Sequence, residues 1–209
     1  IKMEEKKLFI LSSSAGEGKS TTFKHFWIKL KKKFPWKWVE FVDLKKHIEA
    51  FRIGSNLDLN DQDELVRFLS QNLKASPLDR EIFTELYKKG DVIFLWDGAD
   101  EIAPHYKEFM INMVLNIKSS LDQNWQFIST RPQHANDFQN KLNINVYNLV
   151  PLDATKIFEF LVKFVASSKL NEDVNIFYEK LRPYFNDTNN LDIVTKNKEI
   201  STYINQFNA

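Results

Sequence analysis

The sequence predicts an α/β protein built on a parallel sheet. Short apolar runs alternate with segments of helical periodicity up to about residue 150, the order that right-handed crossovers between parallel strands produce. One run, "VIFLW" (Val92–Trp96), is apolar throughout, as a strand buried on both faces is. From about Pro151 the strand signal stops and helical patterns take over, so the sheet is expected to be followed by the start of a helical domain.

Lys7–Ser12 is the first strand. Phe23, Phe26, Trp27, Leu30 and Phe34 then recur at helical spacing and give one apolar face. Trp36–Leu44 is the second strand, with at least one of Trp36 and Trp38 facing the core. "DQDELVRFLSQNL" opens a helix with Asp61 and carries Glu64 three residues on, an acidic variant of the capping box. "SPLDREIFTELYKKG" places Ser76 at the N-cap, Pro77 at the first helical position and Gly90 just past the end. After Val92–Trp96 come a helix over His105–Leu121, a strand over Gln126–Thr130, a break at Pro132 and a strand over Ile144–Leu149. Beyond Pro151, "PLDATKIFEFLVKF" is amphipathic, with Ile157, Phe160, Leu161 and Phe164 on one face, and "VNIFYEKLRPYF" reads as another helix. Two units are therefore expected, a core over 1–150 and a helical extension over 151–209. The chain opens Ile-Lys-Met-Glu-Glu and closes "NQFNA", which reads as a piece of a longer protein.

Composition narrows the function classes. At 43% hydrophobic and 27% charged, the 209 residues suit a soluble globular protein with a sizeable core. A net charge of +1 argues against nucleic acid or an acidic membrane as the obligatory partner. There is no cysteine, which excludes disulfide scaffolds and Cys-based zinc sites and is compatible with a reducing compartment. No apolar run approaches the roughly 20 residues that span a bilayer. "KLKKKFPWKW" mixes lysines with aromatics, but its lysines fit a helix C-terminus, which the helix dipole favours. His25, His47, His105 and His134 show no metal-ligand spacing, and the acids of Asp58–Glu64 lack the glycine and periodicity of a calcium loop.

The chemistry-bearing stretch is "SSSAGEGKST", Ser12–Thr21, lying between a strand and a helix. A phosphate-binding loop works by turning backbone N–H groups inward at the positive end of the following helix. Gly16 and Gly18 supply the close main-chain approach, Lys19 the phosphate cation and Ser20 a magnesium ligand, with Thr21 in the first helical turn near an α-phosphate. Ser13 stands where the GxxxxGK[ST] pattern has its first glycine. Glu17 puts a carboxylate beside bound phosphate and is expected to point outward to solvent. A glycine-rich turn that merely starts a helix is the plain alternative.

Two further pieces belong with that loop. "VIFLWDGADEI" is an apolar strand ending in Asp97, followed by Asp100 and Glu101. A carboxylate at a rigid strand end suits Mg2+, usually through water, which is the role of Asp97. Asp100 and Glu101 are the candidates to orient or deprotonate a water that attacks a γ-phosphate. Three carboxylates in one turn repel unless a cation is present; an acidic surface turn is the plain alternative. In "QFISTRP", Arg131 ends another strand, on the rim where parallel sheets bind ligands, and a guanidinium there can contact a γ-phosphate. An Arg paired with an acidic neighbour is the plain alternative there.

Together the three pieces resemble a NACHT domain, a branch of the STAND class of P-loop ATPases. The family loop reads G-x-A-G-x-G-K-[ST], and "SSAGEGKS" is similar apart from Ser13, with Ala15 and Gly16 in their places. "VIFLWDGADE" matches the family's strand followed by D-G-x-D-E at every position, where most other P-loop ATPases put Glu directly after the first Asp. "FISTRP" is similar to the sensor segment, with Arg131 as the sensor arginine, and the resemblance covers roughly residues 5–165. It implies a P-loop NTPase three-layer sandwich with sheet order 5-1-4-3-2, the sensor strand lying between the two Walker strands. It further implies ATP/ADP with Mg2+, slow hydrolysis by Lys19, Asp100, Glu101 and Arg131, and nucleotide-controlled homo-oligomerisation in cytoplasmic immune or stress signalling. Effector and sensor domains would flank this stretch, and a winged-helix module that helps hold ADP would lie further along. The competing readings are a P-loop metabolic kinase and a nucleotide-binding scaffold without turnover. No Arg-rich lid favours the kinase, and the near match to the guanine-selecting N-K-x-D at Asn197 has Ile200 in place of Asp.

Overall fold

The computed structural model describes residues 7–150 apart from 55, 74–75, 103–104 and 120–123, together with residue 156. The chain divides into two units, Ile1–Leu149 and Val150–Ala209. Every element below belongs to the first; the helices expected beyond Pro151 lie outside the described residues.

The order is β1 (Leu8–Ser12), α1 (Lys19–Lys33), β2 (Trp38–Asp43), a 3-10 turn (Leu44–His47), α2 (Ile48–Gly54), α3 (Gln62–Leu73), α4 (Pro77–Lys88), β3 (Val92–Asp97), α5 (Lys107–Ser119), β4 (Trp125–Thr130), α6 (Pro132–Leu142) and β5 (Val146–Asn148). The five strands form one sheet, ordered β2-β3-β4-β1-β5, with every pairing parallel. Read from the other edge the order is 5-1-4-3-2, as expected. Because all strands run the same way, the carboxyl ends of β1, β3 and β4 share one rim.

Period-two alternation sends each strand's residues to opposite faces. Leu8, Ile10, Val42, Phe94, Trp96 and Ile128 pack under α2 to α6 in the larger core. Phe9, Val39, Ile93, Leu95 and Phe127 pack under α1, through Phe23 and Leu30. Two helical layers thus sandwich the sheet. All six residues of β3 are buried, as a central strand covered on both faces must be. Trp38 packs on the larger core while Trp36 stays exposed. Lys31–Lys33 end α1 as expected, Lys31 Nζ lying 4.1 Å from the Trp27 ring centroid.

Local signals explain the helix starts. Asp61 Oδ1 accepts from the N–H groups of Asp63 (2.9 Å) and Glu64 (3.2 Å). Glu64 does not close the box on Asp61; it reaches back to the Asp58 N–H, 3.1 Å away. Ser76 caps α4 by accepting from the Asp79 N–H at 3.0 Å. Ser76→Ala is expected to lower stability by about 1 kcal/mol, read as a shift in the denaturation midpoint. A second stability test lies at Gly54, where an added Cβ would meet Phe68 Cε2 at 2.5 Å and Phe109 Cζ at 3.1 Å. Phe51, Phe68 and Phe109 pack edge-to-face around that point, so the rings have little room to retreat. Gly54→Ala is expected to cost about 1–3 kcal/mol by overpacking, measured by urea denaturation.

The structure corrects the reading at Pro132. The strand does end before it, at Thr130, but a helix that the reading lacked follows at once. Pro132 is the first residue of α6, with Arg131 as its N-cap, and Ala135, Phe138 and Leu142 are buried along one side.

Candidate functional site

The loop after β1 is stapled to the strand beside it. Ser13 N–H donates to the Thr130 carbonyl at 3.3 Å, so the loop leaves the sheet at the end of β4. Gly16 and Gly18 have φ of 82° and 86°, a region that side chains rarely adopt. An added Cβ at either would meet nothing within 4 Å, so open space lies beside the main chain at both. Ser13 is different. Among the described residues the one non-glycine at positive φ is Asn143, so serine in place of the pattern's first glycine sits in ordinary backbone.

Lys19 folds back over this loop, its Nζ donating to the carbonyls of Ser13 (2.6 Å) and Ser14 (3.0 Å). Helix α1 begins at Lys19 with Gly18 as N-cap, no side-chain cap and no acid in its first turn. Its first amides therefore lack the acceptor that Asp61 and Ser76 give α3 and α4. The Glu17 carboxylate lies at the surface, as expected, and there accepts from the Ser14 N–H at 2.7 Å, closing the loop across three residues. That bond consumes one loop amide and turns the acid along the loop.

The acidic turn meets the loop from β3. Asp97, 7% exposed, accepts from Ser129 Oγ at 2.6 Å, and Ser129 Oγ accepts in turn from the Gly98 N–H at 2.9 Å. The Ala99 N–H donates to the Ser129 carbonyl at 2.9 Å. Arg131 Nε lies 2.7 Å from Asp100 Oδ2, with the Asp100 side chain 5% exposed and Arg131 43% exposed. Like-charge repulsion in the turn is thus relieved by a hydroxyl on Asp97 and a guanidinium on Asp100. Glu101 remains exposed, held to the turn by its N–H on the Gly98 carbonyl at 2.8 Å. Asp100 Oδ1 and the hydroxyls of Ser12, Ser13 and Thr130 are buried along this rim without a hydrogen-bond partner among the described residues.

Ala15, Gly16, Gly18, Lys19, Ser20, Thr21, Asp100, Glu101 and Arg131 line a single cavity of about 330 Å3. Three sequence segments far apart along the chain therefore converge on one space. Asp97 does not line it; the carboxylate sits behind, on β3, joined to the loop through Ser129, Thr130 and Ser13. Glu17 does not line it either. Ser129 was not singled out by sequence reasoning, because a serine inside an apolar strand carries no signal until β4 is known to flank β3.

The donor set fits a polyphosphate: backbone amides, one ammonium, two serine and threonine hydroxyls at a helix start, and open space beside two glycines. Ser20, Asp100 and Glu101 line the cavity with oxygens that suit a hard divalent cation keeping several waters, and Asp97, behind that lining, would reach such an ion through water. Among the described residues no cluster of three or more His, Asp or Glu is arranged to hold a metal unaided. A larger groove of about 1040 Å3 runs beside α5, with Leu57, Tyr106, Phe109 and Asn116 on its walls. Its lysine, Lys118, donates to the Leu142 carbonyl at 3.3 Å. The chain matches no family model and no curated protein. Among the described residues, no helix is long and apolar enough to cross a membrane.

Proposed function

We propose that this chain binds ATP and ADP with Mg2+ at the loop of Ser13–Thr21 and acts as a STAND-type switch with slow hydrolysis. The observation that carries the reading is the common cavity, where a glycine loop, a helix start, two acids and an arginine meet. Lys19 exchanges the Ser13 and Ser14 carbonyls for phosphate oxygens, so its ammonium is already aimed along the loop. Ser20 and Asp97 hold the metal, which would neutralise phosphate charge when bound. Asp100 is committed to Arg131 at 2.7 Å, which leaves Glu101 as the acid best able to orient water. Arg131 can leave Asp100 for a γ-phosphate, and it is the N-cap of α6, so its movement would be felt by that helix. By the NACHT resemblance, this change controls homo-oligomerisation, with effector and sensor domains flanking the stretch and cytoplasmic signalling as its setting.

The test is competition for a fluorescent ATP analogue. ATP and ADP with Mg2+ should displace it and GTP should not. Equal competition by GTP would overturn the adenine assignment, and no binding at all would overturn the loop reading. One observation favours a second reading, a scaffold that binds nucleotide without turnover: Arg131 Nε is already paired with Asp100 Oδ2 at 2.7 Å. Absence of phosphate release in a single-turnover assay, with binding intact, would select it.

A further inference from the structure

One residue of β4 grips three successive residues of the acidic turn. Ser129 Oγ donates to Asp97 Oδ1 at 2.6 Å and accepts from the Gly98 N–H at 2.9 Å, while its carbonyl accepts from the Ala99 N–H at 2.9 Å. We propose that Ser129 is a positioning residue for the metal ligand Asp97, and that its hydroxyl sets the affinity of the site for Mg2+. The inference rests on the nucleotide reading above and assigns a role to a residue outside the loop, the acidic pair and the arginine.

The chemistry leaves the hydroxyl one arrangement. Ser129 has a single O–H proton, and the Gly98 N–H can only donate, so that N–H occupies an Oγ lone pair. The proton therefore goes to Asp97 Oδ1, and a 2.6 Å separation is that of a charge-assisted bond. Ser129 is fully buried at 0% exposure, so water does not compete for it. That bond restrains the rotation of the carboxylate, whose remaining lone pairs can accept from a metal-bound water. A ligand's hydrogen-bonding partner of this kind typically governs metal affinity by 10–100-fold, because it holds the ligand in the binding orientation before the ion arrives. The hydroxyl also lies two residues before Arg131, so one strand end fixes both the metal ligand and the cation that faces Asp100.

The experiment measures ATP binding to the full chain as a function of Mg2+ concentration and, separately, in EDTA. Ser129→Ala is expected to raise the Mg2+ concentration needed for half-saturation about tenfold and to leave ATP binding in EDTA unchanged. Ser129→Thr, which keeps the hydroxyl, is expected to restore the Mg2+ dependence. If S129A melts below the assay temperature, Ser129→Cys carries the same comparison, since a thiol is a weaker donor and should shift the Mg2+ dependence in the same direction. An unchanged Mg2+ dependence would overturn the proposal, and so would an equal loss in EDTA, which is the mark of a purely structural residue. Wild-type binding without any Mg2+ dependence would overturn it while leaving the loop reading standing. Wild-type failure to bind ATP would remove both.

Discussion

Lys19→Ala is expected to weaken ATP binding about 100-fold (~3 kcal/mol), the worth of a pair of charge-assisted hydrogen bonds in a partly shielded site. The ammonium is the one cation contributed by the loop and α1's first turn. It now donates to the Ser13 and Ser14 carbonyls, both in the loop that would wrap phosphate. Removing it hands the exposed Ser14 carbonyl to water but takes a donor from Ser13, which is 4% exposed, so the thermal midpoint should fall slightly. The glycine conformations at Gly16 and Gly18 are set by backbone and should persist. Equilibrium titration with ATP, paired with a thermal melt, separates the two effects. Unchanged affinity would mean that the ammonium faces no phosphate. Arginine in place of Lys19 should not rescue fully, because a planar fork does not reproduce a compact point charge.

Glu101→Gln is expected to lower turnover by at least about 100-fold while nucleotide binding survives, the usual range for removing a positioned general base. The structure separates two acids that sequence left equivalent. Asp100 is almost fully enclosed and paired with Arg131. Glu101 lines the same cavity, is exposed, and is fixed to the turn through the Gly98 carbonyl. Its position depends on Gly98, whose φ is 81° and whose missing Cβ would lie 3.3 Å from Glu101 Cδ. Glutamine keeps the shape and loses the base. Asp100→Asn should behave differently: it weakens the hold on Arg131, so it should alter nucleotide affinity as well as turnover. Single-turnover phosphate release, measured beside binding, distinguishes the pair. Equal turnover in E101Q and wild type would remove Glu101 from any role in the chemistry.

Much of this architecture was legible because pattern and physics agree locally. The all-buried β3 announced itself as an unbroken apolar run, and α4 carried its cap, its first-turn proline and its terminal glycine in plain order. The three site segments were legible too, since each sits at the carboxyl end of a strand that alternation exposes. What the sequence hid was contact between strands. The resemblance already implied β4 beside β3, and an acidic partner for Arg131 was one of the two readings; what no local spacing encodes is which residues meet there, Ser129 on Asp97 and Arg131 on Asp100. Helix α6 was hidden for another reason. Proline both stops helices and starts them, and the polar "QHANDFQNK" between its few apolar residues masks the face made by Ala135, Phe138 and Leu142. Glu17 keeps the surface position expected of it, and the Ser14 N–H three residues back is the partner that the sequence did not announce.

Backbone amide shifts under titration with ATP and Mg2+ test the central claim most directly, since they report where on the chain the ligand sits. Saturable shifts at Gly16, Gly18, Lys19, Ser20 and Thr21, with Glu101 and Arg131 moving in step, are the predicted result. Shifts confined to Tyr106, Phe109 and Asn116 beside α5, or none at any of these amides, would contradict it.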